Sequence, residues 1–255
     1  YFFLKNEINK PIETYKSDLI VDIGKGYNVK DIFKTFKNNN IIKSKLVYYF
    51  AIYSIENYVP KYGQYKIPKN SSILHVLNII NSGKVIQYKI TIPEGLTTLK
   101  IISKIRDNKI LMGEVNKDFF ELEGLFLPET YYFNKGHTKD DLLNRMRGDM
   151  KKILDNYWDN RAGNLPYKTK YDVLKMASII ESEARAEPEK KLIASVFINR
   201  LNKNMKLQSD PTVKYGLEKL DKHKIKKIKK FHLKIDHAWN TYTRKGLPQS
   251  PISNP

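Results

Sequence analysis

Residues 21–42 read VDIGKGYNVKDIFKTFKNNNII, and two later segments lie over them. These are YKIPKNSSILHVLNIINSGKV at 65–85 and ITIPEGLTTLKIISKIRDNKIL at 90–111. Ile23, Ile67 and Ile92 each lead, three residues on, to Gly26, Asn70 and Gly95. Apolar pairs follow at Ile32/Phe33, Val76/Leu77 and Ile101/Ile102, then Phe36, Ile80 and Ile105, and the units close at Ile41, Val85 and Ile110. Each unit therefore reads as a short strand, a turn at a residue that tolerates positive φ, and a helix with apolar residues at helical spacing. Ser71 and Thr97 are the expected helix N-caps. One such unit cannot bury its own apolar face, so neighbouring units must pack together into a small α+β module over residues 17–120.

Beyond the repeat, ELEGLFLPETYYFN at 121–134 places Gly124 and Pro128 among aromatics and reads as a turn-rich junction. A helix follows, capped by Thr138, with Leu142, Met146, Met150 and Leu154 at fourfold spacing. It opens a second domain, expected over 121–255, of mixed α/β character. The segment YDVLKMASIIESEAR makes another helix, on which Val173, Ala177, Ile180 and Ala184 form the expected buried stripe. Pro188 suits the first position of the next helix, which runs through Leu192, Ile193, Val196, Phe197 and Leu201 and ends at NKN. MKLQSDPTVKYGL then reads as a strand or loop with a turn at Asp210 and Pro211.

Three carboxylates, Glu181, Glu183 and Glu187, stand in and after the apolar run of the middle helix. At about 100° per residue, Glu181 lies beside the stripe, flanked by Leu174, Ala177, Ser178 and Arg185, whereas Glu183 is about 200° further round and points away. A carboxyl at the margin of an apolar stripe is partly desolvated, which favours the protonated form that can act as a general acid. The plainer reading pairs Glu181 with Arg185 on a helix surface. Both remain open at the level of spacing.

Composition narrows the field. With 255 residues and 41% apolar content the chain can bury a substantial core, and its longest apolar runs are far shorter than the ~20 residues that cross a bilayer. The opening YFFLKNEINK, residues 1–16 included, reads as the trimmed end of an anchor or signal sequence, or as a first strand. There is no cysteine, hence no disulfide framework and no thiolate metal site. The five histidines, His75, His137, His223, His232 and His237, form no HExxH pattern, so no metal is expected, and neither a GxSxG elbow nor a phosphate-binding glycine loop is present. A net charge of +19 would draw polyanions, but the excess is diffuse. Its densest run, KHKIKKIKK from Lys222 to Lys230, lacks interleaved aromatics and reads as a solvated face rather than a nucleic-acid stripe.

The blocks ASIIESEA, ASVFINRL and MKLQSDPTVKYGL, with TIPEGLT, LEGLFLPETYYF and NTYTRKGLPQSPISNP, make the chain from about Val21 to Pro255 resemble the endolytic murein transglycosylase (MltG, or YceG-like) family. The resemblance implies a LysM-like repeat module followed by a domain that cleaves peptidoglycan glycan strands without a cofactor. It assigns the catalytic acid to Glu181 and implies that Glu123, Ser178, Asn199, Arg200, Gln208, Asp210, Thr212, Asn240 and Tyr242 line the glycan cleft. It further implies an N-terminal anchor in the bacterial cytoplasmic membrane, a body on its outer face and peptidoglycan synthases as neighbours. The DHAW before NTY departs from the family's serine-proline-tyrosine, the lysine-rich insert between Tyr215 and Asn240 is unusual, and the chain stops at Pro255 where relatives continue.

Glycoside hydrolysis ordinarily uses two carboxyl groups, about 5–5.5 Å apart for retention and about 6.5–9.5 Å for inversion. The implied lyase needs one, because the six-hydroxyl of the muramic acid serves as nucleophile and closes a 1,6-anhydro ring. Asp210 is the candidate that would instead make a two-carboxylate muramidase. Two further classes compete: a LysM-like scaffold that binds peptidoglycan without cutting it, and a nucleic-acid binder, which predicts steeply salt-dependent affinity.

Overall fold

The positive-φ turns anticipated in the repeat are present in the computed structural model, which describes residues 1–221 and 224–255. Gly26, Asn70 and Gly95 take φ of 82°, 60° and 75°, and each turn is followed by a helix that buries the apolar residues of the pattern, Phe33 being half-buried. In chain order the elements are α1 (Phe2–Asn9), β1 (Leu19–Ile23), α2 (Val29–Asn38), α3 (Lys45–Tyr53), β2 (Gly63–Ile67), α4 (Ile73–Ser82), β3 (Gln87–Thr91) and α5 (Thr98–Arg106). There follow β4 (Thr130–Asn134), α6 (Lys139–Asp159), α7 (Lys170–Glu183), α8 (Glu187–Asn202) and α9 (Asp210–Asp221). The class is mixed α+β with two two-stranded sheets, β1–β2 and β3–β4, among the described residues.

The chain divides into two compact units: 1–89 with 110–112 and 132–137, and 90–109 with 113–131 and 138–255. In the first, β1 and β2 pair antiparallel with Val21 opposite Tyr65. Val21, Ile23, Tyr65 and Ile67 are buried while Ile20 and Asp22 are exposed, the period-2 alternation of a half-buried sheet. Ile32 and Phe36 of α2, Tyr48 and Ala51 of α3, and Val76, Leu77 and Ile80 of α4 complete this core. Each fully buried Val, Leu, Ile or Phe side chain of this core contributes about 1.5–3 kcal/mol. The first two repeats belong wholly to this unit, and the helix of the third, α5, to the other.

In the second unit α7 is packed against α6, α8 and α9. Its buried residues are Leu174, Met176, Ser178 and Ile179, while Val173, Ala177, Ile180 and Ala184 are only half-buried. The expected stripe is thus displaced by about one residue, since a helix covered on several sides has no single apolar face to read. Met176 and Ile179 join Phe197, Leu207, Tyr215, Trp239 and Ile252 in the core. The DHAW departure is part of that packing: Trp239 meets Tyr215 edge-on and donates its indole N–H to Ser250 Oγ at 2.8 Å.

Several end signals resolve differently. Thr138 caps α6 with Asp141 in a capping box, as its pattern predicts. The cap of α4 is Ser72, whereas Ser71 is buried and donates to the Pro68 carbonyl. Thr97 occupies the N-cap of α5 but makes no side-chain cap. Pro188 is the second residue of α8, and the expected turn at Asp210–Pro211 is the start of α9, where proline's missing N–H costs nothing. Thr130–Asn134, within the expected junction, is the strand β4. Lys222 and His223 of the basic run lie outside the described residues, and 224–230 form exposed loop apart from half-buried Ile225 and Ile228. Among the described residues no helix is long and apolar enough to cross a membrane.

Candidate functional site

Helix α7 is closed at its start by a capping box of Thr169 and Asp172, and it ends after Glu183 where Ala184 turns extended. Glu181 therefore sits in the last turn of a partly buried helix, next to the helix break at 184–186, where Arg185 and Ala186 are exposed. Its side chain is 18% exposed and lines a cleft of about 550 Å³ with Glu94, Lys100, Asp210, Lys214, Tyr215 and Glu218. The TIPEG turn also lines the cleft, and a Cβ placed on Gly95 would lie 3.8 Å from Glu181 Cγ.

The partner of Glu181 is not Arg185, which is exposed, but Lys190 of α8, with Nζ 2.8 Å from Oε2. Lys190 also reaches Glu187 at 2.7 Å and Glu94 at 3.6 Å. Hydrogen bonds to Glu181 and then Glu187 raise the Lys190 ammonium above the ordinary lysine range, so it stays cationic at any working pH.

Asp210 lies in the same cleft and accepts the Tyr242 hydroxyl at 2.6 Å. Burial, with that acceptor, pushes the Tyr242 hydroxyl up to about 12, so it remains a donor. Gln208 and Arg200 line a second groove of about 330 Å³ with Glu183, Phe197 and Leu207. Gln208 holds φ of 57° and accepts from Arg200 at 3.3 Å. Glu183 does face away from Glu181's cleft, but it is not idle surface: it accepts the Ser209 hydroxyl at 2.6 Å.

The other residues assigned by resemblance are placed behind or outside the cleft. Asn199 is exposed on α8. Ser178 is buried, accepts the Ile252 N–H at 3.0 Å and donates to the Lys175 carbonyl, which pins the C-terminal segment to α7 one turn before Glu181. Thr212 is buried against Thr241 and the Ser209 carbonyl. Asn240 is buried with its donors on the Leu233 and Ile235 carbonyls and its acceptor on the Tyr242 and Thr243 amides, which uses its hydrogen-bonding capacity.

Glu123, 5% exposed, does what the missing Thr97 cap would do. Its Oε1 accepts the Thr98 N–H at 2.9 Å, putting a carboxylate at the positive end of α5, while Oε2 accepts the Tyr215 hydroxyl at 3.0 Å. Burial raises its pKa, against the lowering by these hydrogen bonds. A carboxyl whose native pKa lies above its unfolded value adds stability in full below the unfolded value, about 4.3, and loses it as pH rises through the native one. Glu123→Gln, with its amide nitrogen on Tyr215, is thus expected to gain stability relative to the parent as pH rises from 4 to 7. Denaturant titrations across that range check it, and a difference independent of pH would contradict it.

Sequence reading overlooked Glu94, Lys100, Lys214 and Glu218 as cleft residues, and Lys190 as the partner of Glu181. Glu94 was in view within TIPEG; Lys190 was not, because helical spacing carries no information across the break at 184–186.

The YceG-like family matches residues 21–255. An endolytic murein transglycosylase of Bacillus subtilis (strain 168) is 28% identical over 99% of this chain and 77% of its own length. One of Streptococcus pneumoniae serotype 2 (strain D39) is also 28% identical, over 94% of this chain and 51% of its own, so the chain spans about half of that relative. A crystal structure of a yceG-like protein from Listeria monocytogenes superposes with a TM-score of 0.52 at 26% identity, covering 94% of this chain and 86% of that one. A match that runs through the repeat, the TIPEG turn, α7, α8 and the C-terminal segment leaves one assignment: the chain belongs to the YceG-like family.

Proposed function

We propose that the cleft of the second unit cleaves the β-1,4 bond between N-acetylmuramic acid and N-acetylglucosamine within peptidoglycan strands, as an endolytic lytic transglycosylase. The observation that carries this reading is a mostly shielded carboxylate, Glu181, at the C-terminal end of a partly buried helix and on the wall of a cleft large enough for sugar rings. Relatives named endolytic murein transglycosylases support it. Glu181 protonates the glycosidic oxygen as the bond to the muramic anomeric carbon breaks. It then takes the proton of the muramic six-hydroxyl as that oxygen attacks the same carbon, closing a 1,6-anhydro ring and restoring the acid. The nucleophile is tethered to its target, which removes most of the entropic cost of a second reactant.

Asp210 and Tyr242 flank the sugars in the cleft, and Arg200 and Gln208 extend contact into the adjoining groove. Glu123, Ser178, Thr212 and Asn240 act by holding the walls. The repeat module serves as a LysM-like glycan-binding part, and the protein works at the outer face of the bacterial cytoplasmic membrane, beside the peptidoglycan synthases, ending strand elongation. Because Asp210 shares the cleft with Glu181, a muramidase is the competing chemistry. Mass spectrometry of products from uncrosslinked strands separates the two. Internal fragments lighter by one water, with anhydromuramic ends, are expected; reducing ends would mean hydrolysis, and no cleavage would leave a binding scaffold.

A further inference from the structure

Lys190 stands among three carboxylates drawn from three segments: Glu94 of the TIPEG turn, Glu181 of α7 and Glu187 at the start of α8. The break between the helices makes this possible. Ala184 is extended, the Arg185 N–H is held by Glu189 Oε2 at 3.0 Å, and α8 restarts at Glu187. Lys190 lies one turn into α8, and a helical side chain leans toward the N-terminus of its helix, here back over Glu187 and toward the end of α7. The three contacts are unequal in consequence. Glu187 and Glu94 are 82% and 60% exposed, and ion pairs so open to water add little to stability. Glu181, at 18%, is the shielded partner, and it lines the cleft, as the far more exposed Glu94 also does.

Resting on the transglycosylase reading, we infer that Lys190 is a positioning residue for Glu181: its ammonium fixes Oε2 so that Oε1 faces the scissile oxygen, and it meets the charge left on the carboxylate once the proton has gone. A single carboxyl that must act twice, first giving and then taking a proton, gains from being held in one rotamer through both steps, since a shift of about 1 Å can cost about a hundredfold in rate. The ammonium donates to Oε2 and leaves the other oxygen for substrate. Lys100 and Lys214 line the same cleft and supply positive charge there, but Lys190 is the lysine within hydrogen-bond distance of Glu181 among the described residues.

The test compares kcat and KM on uncrosslinked glycan strands. Lys190→Met is expected to lower kcat by about tenfold or more with KM within about threefold, and Lys190→Arg to restore kcat to within about threefold of the parent. Glu187→Gln, which removes only the exposed arm, should leave kcat within about twofold. An unchanged kcat in Lys190→Met, a loss confined to KM, or an Arg variant as impaired as Met overturns the inference. If the unsubstituted protein yields no anhydro-ended product, the transglycosylase reading fails and takes the catalytic role with it. The pair itself is then read from the ¹⁵Nζ resonance of Lys190, which Glu181→Gln must move if the contact exists in solution.

Discussion

Glu181→Gln is expected to lower turnover on glycan strands by about a thousandfold while the fold persists, because a general acid–base group contributes about 10²–10⁴ and here one group serves both steps. Glutamine has the same shape and keeps a carbonyl oxygen to accept from Lys190, but it has no proton to give and no charge to take one. The loss should appear in kcat, with strand binding retained, as for an interaction made only in the transition state. A thermal midpoint near that of the parent is expected, since the glutamine carbonyl keeps the hydrogen bond from Lys190 and that ammonium keeps Glu187 and Glu94. Substantial residual cleavage with anhydro ends would move the chemistry to another group. Residual cleavage with reducing ends would move it to another carboxylate of the cleft, Asp210, Glu94 or Glu218.

The largest stability effect is expected at Asn254, which is fully buried. Its Oδ1 accepts the Phe126 N–H at 2.8 Å, and its Nδ2 reaches the Leu96 carbonyl at 3.0 Å, Thr98 Oγ1 at 3.3 Å and Glu123 Oε1 at 3.4 Å. Its backbone bridges Leu96, and its carbonyl accepts the Gly95 N–H at 2.8 Å. Truncation to alanine leaves a buried amide N–H without a partner and removes a donor from a buried carboxylate, each costing about 1–3 kcal/mol, for about 3–5 kcal/mol in all. At about 2–4 °C per kcal/mol the second unit should melt about 10 °C lower in calorimetry. Asn254→Asp tests the mechanism more sharply. It keeps the acceptor, loses the donor and sets a second carboxylate against Glu123, so its cost must grow with pH. A midpoint shift of under about 2 °C in both variants would mean that water or backbone movement replaces these bonds.

Asn254 also explains how a site can depend on residues far from it in sequence. It ties the TIPEG turn, the LEGLF segment and the segment at 252–254 into one wall, and Ser178 ties that segment to α7. The resemblance had placed Glu123, Ser178, Thr212 and Asn240 in the cleft lining. They stand in the packing behind it, with polar atoms committed to backbone and neighbouring side chains. Motif membership alone does not separate a residue that touches a ligand from one that holds the residue that does.

What could be read from the residues was whatever depends on one or two turns of chain. The repeat turns at Gly26, Asn70 and Gly95 adopt positive φ because few other residue types tolerate it, and Thr138 with Asp141 closes a helix through bonds made within three residues. The helical character of 171–183 and the presence of Glu181 on it are local in the same sense. The buried stripe of α7 was not, since it depends on which neighbours cover the helix. The same holds for the Glu123 carboxylate capping α5 and for Lys190 replacing Arg185 as the partner of Glu181. Backbone preference acts over a few residues and is written into each of them; a contact between groups far apart along the chain exists only once packing has brought their surfaces together.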